Sequence, residues 1–269
     1  MGFHNFILNF IKIKQNQINF NSAYISIQKE IICFIENFNN SGLIFGGGNR
    51  NVIKIFDLNS TKVNVKSFKK PHLLNSIIYK YFRKSKSRRS FEYANKLLEN
   101  EIGTPQPIAY FEKFDFIGLK ESYYACEHLE NVFEFREIVQ NEAFINREEI
   151  IRQFIQFTFQ MHQIGVEFLD HSPGNTLIKD NSNGNYTFYL VDLNRMKFHD
   201  TIDFLTRMKN LSKITHKKDM IAMMSNEYAK LFGVNEVLVF DTMWKFTEDF
   251  QNRYFRKKRI KKRLKFWKK

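Results

Sequence analysis

The sequence predicts an α+β fold with two lobes: a five-stranded antiparallel sheet with one helix, followed by a mainly helical C-terminal lobe. Three observations support this prediction. Most β-like runs lie before residue 128, a strong helical pattern begins at Arg147, and a single hairpin signal, Asn183-Gly184, lies within the later part. Hydrophobic residues make up 43% of the 269 residues, which is typical of a globular chain.

The N-terminal lobe is predicted over residues 41–128, after a helical extension over residues 1–40. Its five predicted strands are residues 42–45, 52–56, 62–68, 107–111 and 122–127. The helix between the third and fourth strands, residues 90–100, places Phe91, Ala94 and Leu97 on one face. Gly103 and Pro105 then end it.

A glycine run, Gly46-Gly47-Gly48, falls between the first two predicted strands. A tight turn there needs residues without a Cβ, and such a turn suits phosphate binding. The run is not a Walker A motif, because no Lys-Ser or Lys-Thr follows at the required distance.

The C-terminal lobe is predicted over residues 129–252. Its strongest helix spans residues 147–164, with Asn146 as N-cap, Glu149 placed for a capping box, and Gly165 at the end. The segment TLIKDNSNGNYTFYLV follows as a β-hairpin with a two-residue turn at Asn183 and Gly184.

A two-residue turn places Asn175 directly opposite Asp192 across the hairpin. Opposed residues have Cα atoms about 4.5 to 5.5 Å apart. An amide oxygen and a carboxylate at one place are suitable ligands for Mg²⁺, which phosphates of a substrate complete. Asp170, five residues before Asn175, adds a second carboxylate suited to accepting a proton from an attacking hydroxyl.

Each of these residues alone has an ordinary explanation, since polar loop residues and exposed strand lysines are common. Glu99 and Glu101 also compete with Glu92 for any role on the predicted helix. The order of the elements is more specific and favours an ATP-dependent phosphotransferase. That order is a glycine-rich turn, Lys66 on the third strand, Glu92 on the next helix, Asp170-x4-Asn175, a hairpin and Asp192.

Four segments, spread over residues 40–200, resemble the lipopolysaccharide core kinases, which phosphorylate Kdo or heptose sugars and share the protein-kinase-like fold. The segments are VKSF, SRRSFEYANKLLENEIGTPQPIAYFE, FLDHSPGNTLI and FYLVDLNRMKF. The resemblance implies ATP as phosphate donor, Lys66 on its α- and β-phosphates, and Glu92 pairing with Lys66. It further implies Asp170 as catalytic base and Asn175 and Asp192 as ligands of Mg²⁺.

The sequence also departs from the protein-kinase pattern. Phe168 and Leu169 stand where His and Arg precede the catalytic Asp, so regulation through a phosphorylated activation loop is not expected. Asn194 replaces the Gly of Asp-Phe-Gly, and we expect it to adopt the positive φ of that turn. For His171, packing and substrate contact remain alternatives.

The net charge of +14 is concentrated at the C-terminus. Residues 253–269 contain eleven Lys or Arg and no acid, which leaves 14 − 11, or +3, for the rest. Ile260, Leu264 and Trp267 recur there at helical spacing, which predicts an interfacial helix on an anionic membrane; a tail packed on the C-terminal lobe is the alternative. No base-reading motif accompanies this charge, so nucleic acid is not an expected partner.

The expected acceptor is a lipid-linked anionic glycan, which the tail and a second basic cluster over residues 80–89 would hold. A soluble small-molecule or protein acceptor, and a non-catalytic kinase-like binding module, are the alternatives. Cys33 and Cys126 are expected to be buried free thiols in a reducing compartment. No apolar run approaches the roughly 18 residues needed to span a bilayer, so a cytoplasmic protein peripheral to the inner membrane is expected. The sequence gives no indication of oligomeric state.

Overall fold

Strands dominate the first part of the chain and helices the second in the computed structural model, which describes residues 16–47, 51–58 and 61–266. The chain divides into two units. The first comprises the residues up to Lys96 together with Pro105–Glu130, and the second comprises Leu97–Thr104 and the residues from Asn131 onward. The combination of helices and antiparallel strands that the α+β prediction requires is confirmed.

The first unit contains a six-stranded antiparallel sheet in the order β1-β5-β6-β4-β3-β2. Its strands are β1 Gln17–Phe20, β2 Leu43–Gly47, β3 Asn51–Leu58, β4 Thr61–Phe68, β5 Pro107–Phe114 and β6 Leu119–Glu127. The prediction of five strands is wrong, because Gln17–Phe20 pairs with β5 instead of forming part of a helix. The alternation of Gln17, Ile18, Asn19 and Phe20 has the period of two expected of a strand.

The described helices of this unit are α1 Gln28–Glu36, α2 Leu73–Tyr81 and α3 Lys86–Leu98. The prediction of one helix after the third strand is wrong, since both α2 and α3 lie there. Leu73, Leu74, Ile77, Ile78 and Tyr81 recur at helical spacing on α2. The helix nevertheless buries Ser76 and Lys80 of its other side. On α1 the Cys33 thiol is exposed, contrary to the prediction, whereas Cys126 on β6 is buried.

The two faces of the sheet have different coverings. Ile31 and Ile35 of α1 pack on the face that carries Val65 and Ala125, in one hydrophobic core. On the opposite face, Phe91 of α3 packs on Tyr110 of β5 with ring centroids 5.4 Å apart. Helix α3 therefore covers the face to which Tyr110 belongs.

The second unit is mainly helical, with two small sheets ordered β10-β9-β7 and β11-β8. Its elements are β7 Val132–Glu134, α4 Phe135–Gln140, α5 Arg147–Gln163, β8 Val166–Phe168, β9 Thr176–Asp180, β10 Tyr186–Leu190, β11 Met196–Phe198, α6 Phe204–Leu211, α7 Lys218–Phe232 and α8 Glu236–Phe266. The described part of the basic tail continues α8. Within the described residues, no helix is both long and apolar enough to cross a membrane.

Helix α5 forms where the sequence predicts it, but the expected capping box is absent. Asn146 has φ 56° and makes no side-chain cap bond. Its amide instead donates to the Tyr186 hydroxyl at 3.1 Å, and Glu149 accepts from Gln153 at 2.6 Å. Gly165 ends the helix at φ +78°, where an added Cβ would lie 1.9 Å from the carbonyl oxygen of His199.

A buried polar network underlies the second unit. The Asn210 side-chain oxygen lies 3.1 Å from His162 Nε2 and 3.3 Å from His171 Nδ1, and both imidazoles are fully buried. Burial lowers the pKa of His162 to about 3 and that of His171 to about 4, and the bond to Asn210 offsets this only partly. Both rings are therefore neutral in the folded protein near neutral pH.

These two histidines predict a loss of stability on mild acidification. The unfolded chain protonates them near pH 6.5, whereas the folded chain does so only near pH 3 to 4. Their contribution is complete above pH 6.5 and is lost as the pH falls below it. Each histidine adds about 1.4 kcal/mol per pH unit to the slope of the unfolding free energy between roughly pH 6 and pH 4.5.

Denaturant unfolding measured from pH 7.5 to pH 5 checks this slope. We expect His162→Gln to lower the slope by about 1.4 kcal/mol per pH unit. His216→Gln, which changes an exposed histidine, is the matched control and should leave the slope unchanged. Equal slopes for His162→Gln and the unmodified protein would contradict the prediction.

Candidate active site

The Asp170 carboxylate lies in the loop between β8 and a short 3₁₀ turn at Pro173–Asn175. Arg195 Nη1 donates to its two oxygens at 3.0 and 3.2 Å, and Lys213 Nζ lies 3.8 Å from Oδ1. The Asp170 side chain nevertheless keeps 28% of its surface exposed. Asp170 is thus a carboxylate that lies between two cations and is accessible to a solute.

Lys213 and Arg195 were not identified from the sequence. Arg195 reaches Asp170 because β8 pairs with β11, and the Leu169 amide donates to the Arg195 carbonyl at 3.0 Å. Lys213 lies just beyond α6 and its ammonium also donates to the Leu169 carbonyl. Burial lowers the pKa of Lys213, and Asp170 opposes this shift. Only the tertiary fold brings these cations to the loop, so no local motif indicates them.

Asn175 is tied to the same loop. Its Nδ2 donates to the Asp170 carbonyl at 2.8 Å, and its backbone amide donates to Ser172 at 2.9 Å. Because the amide nitrogen is the donor, the orientation of the side chain is set and Oδ1 keeps its acceptor capacity. An oxygen of this kind is a suitable ligand for a hard cation.

The β9–β10 hairpin forms as predicted, but its register is shifted by one residue. Three residues, Ser182, Asn183 and Gly184, adopt positive φ in the turn, where the sequence suggested a two-residue turn. The Val191 amide consequently donates to the Asn175 carbonyl at 3.0 Å. The prediction that Asn175 directly opposes Asp192 is therefore wrong, although Asp192 follows at the next position.

Asp192 itself has the unusual backbone of this segment, with φ +59°. The prediction placed positive φ at Asn194, and that is wrong. Leu193 is buried, and the Asn194 amide donates to Asp192 Oδ1 at 2.8 Å. This bond fixes the carboxylate, and Asp is among the residues that tolerate left-handed backbone best. Non-glycine residues held in this region concentrate at functional sites.

A segment distant in sequence supports the strand that leads to Asp192. The Leu190 amide donates to the Gly103 carbonyl at 2.9 Å, and the Thr104 hydroxyl donates to the Leu190 carbonyl at 2.8 Å. A Cβ at Gly103 would lie 2.1 Å from the Phe188 carbonyl oxygen. The absence of a Cβ at Gly103, which follows the end of α3, thus lets this segment lie directly against β10.

In the first unit, Gly46 and Lys66 occupy one row of the sheet. Gly46 pairs with Ile53 on β3, and Ile53 pairs with Lys66 on β4. Two strand spacings of about 4.8 Å separate Gly46 from Lys66. Gly47 follows on β2, and Gly48 lies outside the described residues.

Lys66 is on the sheet face that α3 covers, because it pairs with Tyr124, which in turn pairs with Tyr110. Its ammonium lies 5.3 Å from the centre of the Phe68 ring. Glu92, on the helix that covers this face, is half-buried. The fold thus places both predicted residues on one side of the sheet.

The Glu92 carboxylate has cationic partners close to it in sequence. Lys84 donates at 2.7 Å and Arg88 at 2.8 Å. Burial raises the pKa of Glu92, but the bonds from these two cations outweigh it and lower the pKa overall. Glu99 and Glu101, the competing acids, are exposed. The pairing of Glu92 with Lys66 stays a prediction.

His171, next to the candidate base, is a packing residue. It is fully buried, its ring centroid lies 5.5 Å from that of Phe154 and 5.8 Å from that of Phe168, and Nδ1 contacts Asn210. Of the two alternatives from the sequence, the structure favours packing.

The described residues contain no group of three or more His, Cys, Asp or Glu side chains placed to hold a metal ion. Asn175 and Asp192 offer an amide oxygen and a carboxylate instead. Such a sparse oxygen set suits Mg²⁺ only when substrate phosphates supply further ligands.

Comparisons with known proteins bear on the family and the fold. A search of curated proteins gave no match. A solved structure of WaaP in complex with acyl carrier protein shares the fold, with a TM-score of 0.61 and 14% sequence identity, over 87% of this chain and 98% of that one. The model of the lipopolysaccharide kinase (Kdo/WaaP) family matches residues 49–234, which include every candidate residue from Lys66 to Asp192. The chain therefore belongs to the lipopolysaccharide kinase (Kdo/WaaP) family.

Proposed function

We propose that this protein transfers the γ-phosphate of ATP to a hydroxyl of a Kdo or heptose sugar in the lipopolysaccharide inner core or its lipid A precursor. The observation that carries the proposal is the Asp170 loop. An accessible carboxylate there lies beside Arg195 and Lys213, and its carbonyl is bonded to Asn175. Family membership supports the phosphotransfer, and the loop chemistry supports the kind of acceptor.

Asp170 acts on the acceptor in this proposal. Its carboxylate orients the attacking hydroxyl and accepts the proton as the bond from the hydroxyl oxygen to the γ-phosphorus forms and the bond from that phosphorus to the ADP oxygen breaks. Arg195 and Lys213 give the loop a positive potential that suits a sugar carrying a carboxylate or a phosphate. An acidic glycan fits this charge better than a neutral metabolite.

The remaining candidates bind the nucleotide. Lys66 would bind the α- and β-phosphates, and Gly46, Gly47 and Gly48 would contact the phosphates. Asn175 Oδ1 and the Asp192 carboxylate would hold Mg²⁺, which would neutralise the charge of the phosphates when bound. Glu92 orients Lys66 in this proposal. For this, one oxygen of the Glu92 carboxylate releases its present partner, Lys84 or Arg88, and accepts from Lys66 instead.

The acceptor is lipid-linked, so the protein works as a peripheral protein at the inner membrane. The basic tail supports this location, since residues 253–263 of α8 are exposed along their length. Seven of the residues from Arg256 to Arg263 are Lys or Arg. Such a helix is attracted to acidic headgroups.

Asp170→Asn should abolish phosphate transfer while leaving ATP affinity within about twofold. The loss of a general base costs roughly 10² to 10⁴ in rate, and the base makes little contact with the nucleotide. Turnover and nucleotide affinity of the purified variant check this, and mass spectrometry of lipid A and core from cells carrying the variant should show one phosphate missing. Asp200→Asn, an exposed carboxylate of the same unit, is the control. Turnover within about threefold of normal would remove Asp170 from this role.

Asp192→Ala should weaken Mg·ATP binding and turnover together, because the metal has few other protein ligands. Calorimetric titration with Mg·ATP measures the affinity, and the Asp170→Asn variant serves as the comparison in which affinity is retained. Unchanged affinity and activity in Asp192→Ala would contradict the assignment of the metal site.

Deletion from Arg256 onward should lower activity on a lipid-embedded acceptor by about tenfold or more, because each basic side chain near an anionic surface contributes at most about 1 kcal/mol and several are lost together. Activity on a water-soluble sugar fragment should be nearly unchanged, since the candidate catalytic residues lie elsewhere. Parallel assays on the two acceptors measure this. Equal loss of both activities would show that the tail is a structural part of the second unit.

A further inference from the structure

Helix α2 buries a polar side and exposes an apolar side, which is the reverse of the usual arrangement. Its buried residues are polar, with Ser76 7% and Lys80 4% exposed. Four of its large apolar residues are exposed: Leu74 is 75% exposed, with Leu73, Ile78 and Tyr81 exposed beside it, whereas Ile77 and Tyr79 are half-buried. A surface helix of a globular protein normally buries its apolar stripe and exposes its polar one.

Specific bonds hold α2 in this orientation. The Ser76 hydroxyl donates to the Leu119 carbonyl at 2.6 Å, and Lys80 Nζ donates to the carbonyls of Asp115 and Phe116 at 2.8 and 2.9 Å. Gly118 permits the close approach, since a Cβ there would lie 2.5 Å from the Ser76 backbone. The helix cannot turn its apolar side inward without breaking these bonds.

The turn between β5 and β6, to which Lys80 is bonded, enlarges the apolar surface. Phe116 at its tip is 79% exposed, and Phe82, just after α2, is 83% exposed. We call this set the α2 surface; it consists of Leu74, Ile78, Tyr81, Phe82, Phe116 and Ile117. Contiguous exposed apolar residues of this kind mark interaction sites.

The surroundings of the α2 surface are basic. Residues 69–91 include eight Lys or Arg and no Asp or Glu. Lys80 and Arg89 are buried, and Lys84 and Arg88 pair with Glu92, whereas Lys69, Lys70 and Arg83 are exposed. A cavity of about 270 Å³ lies beside α2 in the same unit, and its lining includes Lys69, Lys70, His72, Lys86 and Ser122. The apolar side chains are thus bordered by cations, and the partner must combine apolar material with negative charge.

We propose that the α2 surface docks on an anionic lipid bilayer. The apolar side chains enter the boundary between headgroups and acyl chains, and the neighbouring cations meet acidic headgroups. The exposed residues come from a helix and a turn, with cations among them. A bilayer accepts this mixture without a complementary shape, whereas an acidic protein would need a matched apolar patch. This docking is separate from that of the basic tail and does not depend on the identity of the acceptor.

Vesicle co-sedimentation of the full chain tests the proposal. The first variant combines Leu74→Gln, Ile78→Gln and Phe82→Gln, which change exposed side chains only. The matched control combines Leu205→Gln, Val237→Gln and Leu238→Gln, three exposed apolar residues of the second unit. Vesicles of phosphatidylglycerol with phosphatidylethanolamine are compared with vesicles of phosphatidylcholine, in low salt and in about 1 M salt, where the Debye length is about 3 Å.

We expect the unmodified protein and the control to bind the anionic vesicles and to retain part of this binding in high salt. The α2 variant should lose the salt-resistant part by about tenfold. Protein lacking the tail from Arg256 should keep most of it, because the apolar side chains of the α2 surface are still present in that variant. A second variant, Lys69→Glu with Lys70→Glu and Arg83→Glu, should lose the preference for anionic over phosphatidylcholine vesicles.

Several results would overturn the proposal. One is vesicle binding by the α2 variant equal to that of the control. Another is loss of all salt-resistant binding when the tail alone is removed. A third is an α2 variant that keeps vesicle binding but loses binding to acyl carrier protein, which is used as an acidic protein probe. Activity on a water-soluble acceptor is measured in parallel and should be normal in the α2 variant. If the unmodified protein shows no kinase activity, the proposed function fails, while the vesicle comparison still decides the role of the α2 surface.

Discussion

The hydrogen bond from the Val191 amide to the Asn175 carbonyl is the constraint on which the candidate site depends. It terminates the pairing of β9 with β10 and brings the chain just before Asp192 beside the Asp170 loop. The Asn175 amide in turn donates to the Asp170 carbonyl. One hairpin register therefore sets the positions of all three candidate residues of the second unit, and a shift by one residue would turn every side chain of β10 to the opposite face.

The polar network below the loop makes this arrangement rigid. Asn210 Nδ2 donates to the Phe168 carbonyl at 2.8 Å, and Asn210 Oδ1 accepts hydrogen bonds from His162 and His171. A buried polar group left without a partner costs about 1 to 3 kcal/mol, so these groups hold one another in a single arrangement. β8, which ends two residues before Asp170, thus has a fixed end. A carboxylate on a fixed loop keeps its orientation toward an acceptor without reorganisation.

Sequence patterns predicted the elements better than the contacts between them. The strands around Lys66, the helix of Glu92, helix α5 and the hairpin all form near their predicted positions, because each has local periodicity or turn chemistry. The register of the hairpin differs from the prediction because Ser182 joins the turn at positive φ, with its amide donating to Asp180 Oδ1 at 2.7 Å. Arg195 and Lys213 reach Asp170 only through tertiary packing. Asn146 likewise exchanges a local cap for a distant bond to Tyr186.

Helix α2 shows that an apolar side at helical spacing need not be the buried side where backbone carbonyls need donors. Burying its apolar side would gain about 1.5 to 3 kcal/mol for each of Leu74 and Ile78. It would also remove the two bonds of the Lys80 ammonium, each worth about 1.5 to 3 kcal/mol, and leave the carbonyls of the β5–β6 turn without these donors. The burial of the apolar side and the hydrogen bonds of Lys80 thus contribute similar free energies. The desolvation cost of unpaired carbonyls then makes the orientation with the polar side buried the more stable one. The apolar side then stays in solvent, and its burial energy remains available to a partner outside the chain.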